Sequence, residues 1–221
     1  MHGIRSLIGK DVVIEISGKT MLSGILIDLG PDILVIFDGL KYLYIPLIHL
    51  HNIRERIAEE AIQKPAGNVP IEEMSDSLSY RKTLTNAKGK FVEVFVTGNQ
   101  SIHGYITSVL NDYIVLYSPV YKDMLISMHH LKWLTPYHNS LTPYTLSNEK
   151  LPVVPSSMPL ARSFEEQLQK YDGKLLVFDL GNHPDKVGLV TSILNNIVHI
   201  ITAGGESVYW KLSHLKTIHI P

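Results

Sequence analysis

Eleven histidines and twenty-one Asp and Glu residues are the groups in this chain that could ligate a metal or move a proton. There is no cysteine, which removes disulfides, zinc–thiolate sites, iron–sulfur clusters and thiol catalysis together. A metal site needs three or four convergent ligands. Some of the histidines lie close together: His49 alternates with His51, His129 adjoins His130, and His199, His214 and His219 fall in the last sixty residues. His49, His130 and His214 occupy one place in a repeated pattern. A place shared by every copy serves the fold, for instance by bonding a loop carbonyl through a ring N–H. His103, His138 and His183 fall at expected turns. No metal ligand and no cofactor site is assigned.

The carboxylates are scattered. Asp32 and Asp112 share a place that Asn196 takes the third time. An amide cannot exchange a proton there, so the position reads as Asx turn chemistry, bonding nearby backbone N–H groups. Gly204-Gly205 lacks the Lys and Ser/Thr of a phosphate loop and fits a hairpin tip. No Gly-x-Ser-x-Gly elbow is present. No catalytic residue can be named, and the chain is not expected to be an enzyme.

The elements that would position these groups recur three times. Gly9-Lys10, Gly89-Lys90 and Gly173-Lys174 each precede an apolar run. Fifteen residues later comes a second glycine: Gly24, Gly104 and Gly188. The Asp/Asn place follows, and a His-Leu pair closes each copy at His49, His130 and His214. These nine residues are the structural anchors of the repeat.

Each copy reads as five short strands separated by Gly, Asn and Asp turns. Val12, Ile14 and Ile16 alternate inward, as do Val92, Val94 and Val96, and Leu176, Phe178 and Leu180. Glu15, Glu93 and Asp179 then face solvent. A short helix precedes each first strand, most clearly at Ser163-Phe-Glu-Glu166, a capping box. So short a sheet must curl on itself to bury its inner face and lose its edges. The fold class is therefore mainly β: three tandem SH3/Sm-like small β-barrels, each preceded by a short helix. The inner glycines would permit the bend at a barrel corner.

The barrels are expected at 1–56, 77–135 and 162–221. A linker with a short helix, Ile57 to Gln63, fills 57–76, and a proline-rich linker fills 136–161.

Charge narrows the partners. The net charge is −1. Residues 1–56 hold six basic and six acidic side chains, 78–136 six and three, and 162–221 six and six. Only the middle copy is positive, a weak footprint for nucleic acid. Tyr42, Tyr44, Tyr117, Tyr121, Trp133 and Trp210 could stack bases, but aromatics on strands are commonly half-buried. The most apolar run, Ile25 to Phe37, is interrupted by Asp28, Gly30, Pro31 and Asp32, so no membrane span is expected. The first residues lack a signal-peptide pattern.

Leu-Ile-Gly-Lys at 7–10, Asn-Asp-Tyr-Ile-Val-Leu at 111–116, His-His-Leu-Lys at 129–132 and the ending Leu212-Ser213-His214-Leu215-Lys216-Thr217-Ile218 resemble the N-terminal region of the spore coat protein B family of Bacillus. That region looks like three tandem copies of such a unit. The resemblance implies a structural component of the endospore coat, made in the mother-cell cytoplasm and laid onto the spore. Other coat proteins, or further copies of itself, would be its partners. Two departures matter. The family's Gly-Gly-Pro-Glu-Ser turn is replaced here by Ser17-Gly18-Lys19, Thr97-Gly98-Asn99 and Gly181-Asn182-His183-Pro184, and the long Ser/Lys/Arg-rich tail is absent. The alternative is an Sm-like RNA- or DNA-binding regulator.

Overall fold

The computed structural model describes residues 2–57, 62, 69–71, 78–96, 100–137, 143–145 and 159–221. It is mainly β, with antiparallel pairing throughout. The first copy runs α1 (His2–Arg5), β1 (Asp11–Ile16), β2 (Thr20–Leu29), β3 (Ile33–Phe37), β4 (Tyr42–Pro46) and β5 (Leu50–Glu55). The second runs α2 (Tyr80–Asn86), β6 (Phe91–Val96), β7 (Gln100–Val109), β8 (Tyr113–Ser118), β9 (Lys122–Ser127) and β10 (Leu131–Pro136). The third runs α3 (Phe164–Gln169), β11 (Leu175–Phe178), β12 (Val187–Leu194), β13 (Ile197–Thr202), β14 (Ser207–Lys211) and β15 (Thr217–His219). The expected helix at 57–63 and most of both linkers lie outside the described residues.

The chain divides into two compact units. One comprises Met1–His103 with Leu131–Leu141, the other Gly104–His130 with Thr142–Pro221. The division runs through the second copy, within β7 at Gly104.

In the first unit the strands lie in the order β6-β10-β4-β3-β2-β1-β5. Strand β2 pairs with β1 through Thr20 to Ile25 and with β3 through Ile25 to Leu29. The two partners thus take different halves of one strand, and the sheet curls. Val12, Ile14 and Ile16 are fully buried, and they share one cluster with Leu26, Leu34, Ile36, Leu43 and Ile45. Each such side chain contributes about 1.5–3 kcal/mol on leaving water. This is the alternation read from the sequence.

In the second unit the order is β14-β13-β12-β11-β15-β9-β8. Leu176, Phe178, Val190, Val198, Ile200, Leu215 and Ile218 are buried in one cluster. Strand β11 stops at Phe178, however, and Leu180 turns away at φ +59 in a 3₁₀ turn. The inward reading of Leu180 is therefore wrong, because a longer loop replaces the tight hairpin of the first copy.

The expected loss of edges by closure takes a different form. β5 pairs with β1 and not with β4. Edges are covered instead by the neighbouring copy. Leu134 on β10 pairs with Tyr44 on β4, within the first unit. Thr217, Ile218 and His219 on β15 pair with Ile126, Leu125 and Met124 on β9, within the second. The sheet is open, and its last strand in each later copy completes the fourth strand of the copy before.

Candidate functional site

The anchors occupy three kinds of place. Gly9, Gly89 and Gly173 lie at φ +81, +76 and +73, where a side chain is strained. At Gly24, Gly104 and Gly188 space is the reason instead. A Cβ there would lie 2.5 Å from the Phe37 carbonyl oxygen, 2.4 Å from that of Tyr117 and 2.7 Å from that of Ile201. The third strand of each copy crosses the second this closely where the second bends.

The three repeated histidines do not share one environment. His49 is buried, with Nδ1 2.9 Å from the Ser17 hydroxyl. His130 places Nε2 2.8 Å from the Ser213 carbonyl oxygen, a bond from the second copy to the third. His214 is exposed. Of the three, His130 thus sets a ring nitrogen against a carbonyl oxygen. Among the described residues no group of three or more His, Asp or Glu is placed to hold a metal ion.

Asp32 and Asp112 correct the turn reading. Asp32 Oδ1 accepts from Tyr80 N at 2.8 Å, and Asp112 Oδ1 accepts from Phe164 N at 2.8 Å. Each carboxylate therefore reaches past its own turn to the first N–H of the next copy's helix, where donors lack intrahelical partners. Ser163 adds the capping box expected from the sequence. Asp112→Ala should cost about 1 kcal/mol in urea denaturation, and Asp112→Asn only a few tenths, since an amide oxygen still accepts.

Each junction carries further ties. In the first unit the Lys41 ammonium lies 2.6 Å from Glu93, and the Ser101 hydroxyl donates to the same carboxylate at 2.6 Å. Burial alone would raise Glu93, but these donors outweigh it and hold the carboxyl below its ordinary range. Glu93 is thus half-buried and bonded, not solvated as its outward register suggested. Phe95 stacks on Trp133 at 3.8 Å. In the second unit Asn111 N donates to Arg162 O at 3.1 Å, Ser127 N donates to Lys216 O at 2.9 Å, and Tyr113 OH donates to Ala161 O at 2.7 Å.

Asp179 departs furthest from expectation. It is 6% exposed at φ +49, and it pairs with the buried Lys186 at 2.9 Å. Its other oxygen accepts from Lys216 N and Thr217 N. Lys186 Nζ lies 3.5 Å from the centre of the Trp210 ring. Asp179 was expected in solvent because it follows the alternation. The chain leaves the strand at that residue, so register no longer decides its side. The cluster clamps the first hairpin of the third copy onto β15.

A cleft of about 150 Å³ is lined by Lys122, Asp123, Tyr171 and His219 among others. His219 is buried, and its Nδ1 has no hydrogen-bond partner among the described residues. Burial lowers the pKa of both His219 and His130. Both are therefore neutral when folded at pH values where the unfolded imidazole, near 6.5, takes up a proton. Stability is full above pH 6.5 and is lost as pH falls from there through the lowered folded values. Thermal melting between pH 7.5 and 5 should fall more steeply for the parent than for His219→Phe.

These features define a mainly β tandem-repeat protein whose copies are joined edge to edge, with each turn carboxylate capping the following helix. A family profile described as the YwrJ third domain matches residues 163–218. Uncharacterized protein YwrJ of Bacillus subtilis (strain 168) is 55% identical over 225 residues, covering 100% of both chains. The chain belongs to the YwrJ family.

Proposed function

We propose that this protein is a non-enzymatic structural component of the bacterial endospore coat, acting through protein–protein assembly. In this reading each copy is an SH3/Sm-like small β-barrel whose edges are opened for its neighbours. The observation that carries it is the junction made twice: a fourth strand is completed by the following copy's fifth, and an Asp side chain holds the following helix. Such β-augmentation joins surfaces through backbone hydrogen bonds, with side-chain pockets giving specificity. The sequence resemblance to spore coat protein B supports the location, mother-cell cytoplasm and then coat. The relative of known organism is a Bacillus protein.

Among the described residues no helix is long and apolar enough to cross a membrane. Fractionation of sporulating cells with immunodetection tests the reading. Signal in the coat extract is expected. Signal confined to vegetative cytosol overturns it. Filter binding with poly-U at low salt separates the Sm-like nucleic-acid alternative, which requires tight, salt-sensitive retention.

A further inference from the structure

We propose that the outer face and free edge of β14 dock the β5 edge of a second copy of this chain, head to tail. This rests on the assembly reading and names its surface and its occupant.

The three copies can be compared place by place. Tyr44, Leu125 and Tyr209 fall two residues before Pro46, Ser127 and Lys211, which end the fourth strand in each copy. Tyr44 is 1% exposed and Leu125 3%, whereas Tyr209 is 63% exposed. On the third strand Ile33 and Tyr113 are fully buried, while Ile197 is 38% exposed. Val35 and Val115 are buried, while His199 is half-exposed and stacks on Tyr209 at 4.3 Å. In the second copy this face is covered by the third copy's helix: Tyr113, Val115 and Leu125 cluster with Phe164, Leu168 and Tyr171. In the third copy the same face lies open.

The complementary surface is open on the first copy. Leu131, Leu215 and Ile218 are fully buried, and Leu134 nearly so, yet their counterparts Leu50 and Ile53 are half-exposed. Leu84 and Leu168 are fully buried, while Ile4 in the same place of α1 is half-exposed. Among the described residues, strand β14 has β13 as its one neighbour, and β5 has β1.

Among the described residues two edges of complementary type are thus free, and each type already pairs with the other twice inside the chain. Repeat arrays usually end in polar faces that keep neighbours off. Here Leu194 (69% exposed), Ile197 and Tyr209 make that end apolar instead. Carrying over the β9–β15 register sets Tyr209 opposite Ile53, Val208 opposite Arg54 and Trp210 opposite Asn52. No like charges meet.

The absence of cysteine makes the test clean. Tyr209→Cys and Ile53→Cys chains are mixed and oxidised with glutathione disulfide. A mixed disulfide is expected, because directly opposed strand residues lie within disulfide reach. A Tyr209→Cys homodisulfide in its place, or no crosslink, overturns the pairing. Light scattering of the parent protein should show mass rising above one chain with concentration. Tyr209→Lys should weaken this at least about thirtyfold with the melting temperature unchanged, and Ile197→Glu should act likewise. A parent that stays monomeric at the highest concentration overturns self-docking even where the coat extract is positive. A negative coat extract with intact crosslinking overturns only the coat assignment.

Discussion

Gly24→Ala is expected to remove about 3 kcal/mol of stability, toward the upper end of what overpacking costs. The added Cβ would lie 2.5 Å from the Phe37 carbonyl oxygen, 2.9 Å from its carbonyl carbon and 3.2 Å from the Asp38 Cα. All three are backbone atoms at the end of β3 or just past it, so no side chain can rotate aside. Relief requires β2 and β3 to separate where Ile25 pairs with Phe37 and Leu26 with Ile36. That would open the cluster around Val12, Ile14 and Leu34. Gly104→Ala meets the Tyr117 carbonyl oxygen at 2.4 Å and should cost as much. Gly9→Ala is the control. Nothing lies within 4 Å of its Cβ, so only the strain at φ +81 remains, about 1 kcal/mol. Urea denaturation of the three variants checks the order. Equal losses for Gly24→Ala and Gly9→Ala would refute the steric account.

Asp179→Ala should cost about 3–5 kcal/mol. It strands the Lys186 ammonium, which is 7% exposed, and takes the acceptor from Lys216 N and Thr217 N. Removing one member of a buried pair leaves an uncompensated charge, and that penalty exceeds the net value of the pair itself. The double variant Asp179→Ala with Lys186→Met should therefore recover much of the loss. A thioether chain can still pack on the Trp210 ring, and no buried charge then remains. Thermal denaturation of both singles and the double gives the coupling. Additive losses would show that the pair does not act as a unit. Because Asp179 also positions the start of β15, the single variant should weaken protection of the β9–β15 amides in hydrogen exchange first.

Much of this architecture could be read from residue types in order. Strand alternation is local, since side chains of successive residues point to opposite faces whatever the partner. Hence Val12, Ile14 and Ile16, Val92, Val94 and Val96, and Leu176 and Phe178 were assignable, whereas Leu180 was not. A capping box is equally local, and Ser163 with Glu166 forms it as written. The inner glycines were legible as places where a side chain does not fit, though not what they approach.

Pairing between copies was not legible. The hydrogen bonds joining β10 to β4 and β15 to β9 are made by backbone atoms common to every residue, so no residue type announces them. The same holds for Asp32 and Asp112. Their type marked a turn, while their partners, Tyr80 N and Phe164 N, lie 48 and 52 residues away. Asp179 was misplaced because alternation ceases where a strand ends, and the end is set by a left-handed turn stabilised by Lys186, Lys216 and Thr217. Residue order therefore settled which faces turn inward, through a period of two that needs no partner. Three-dimensional packing settled which edges meet, because edge hydrogen bonding is blind to side-chain identity and answers to long-range geometry.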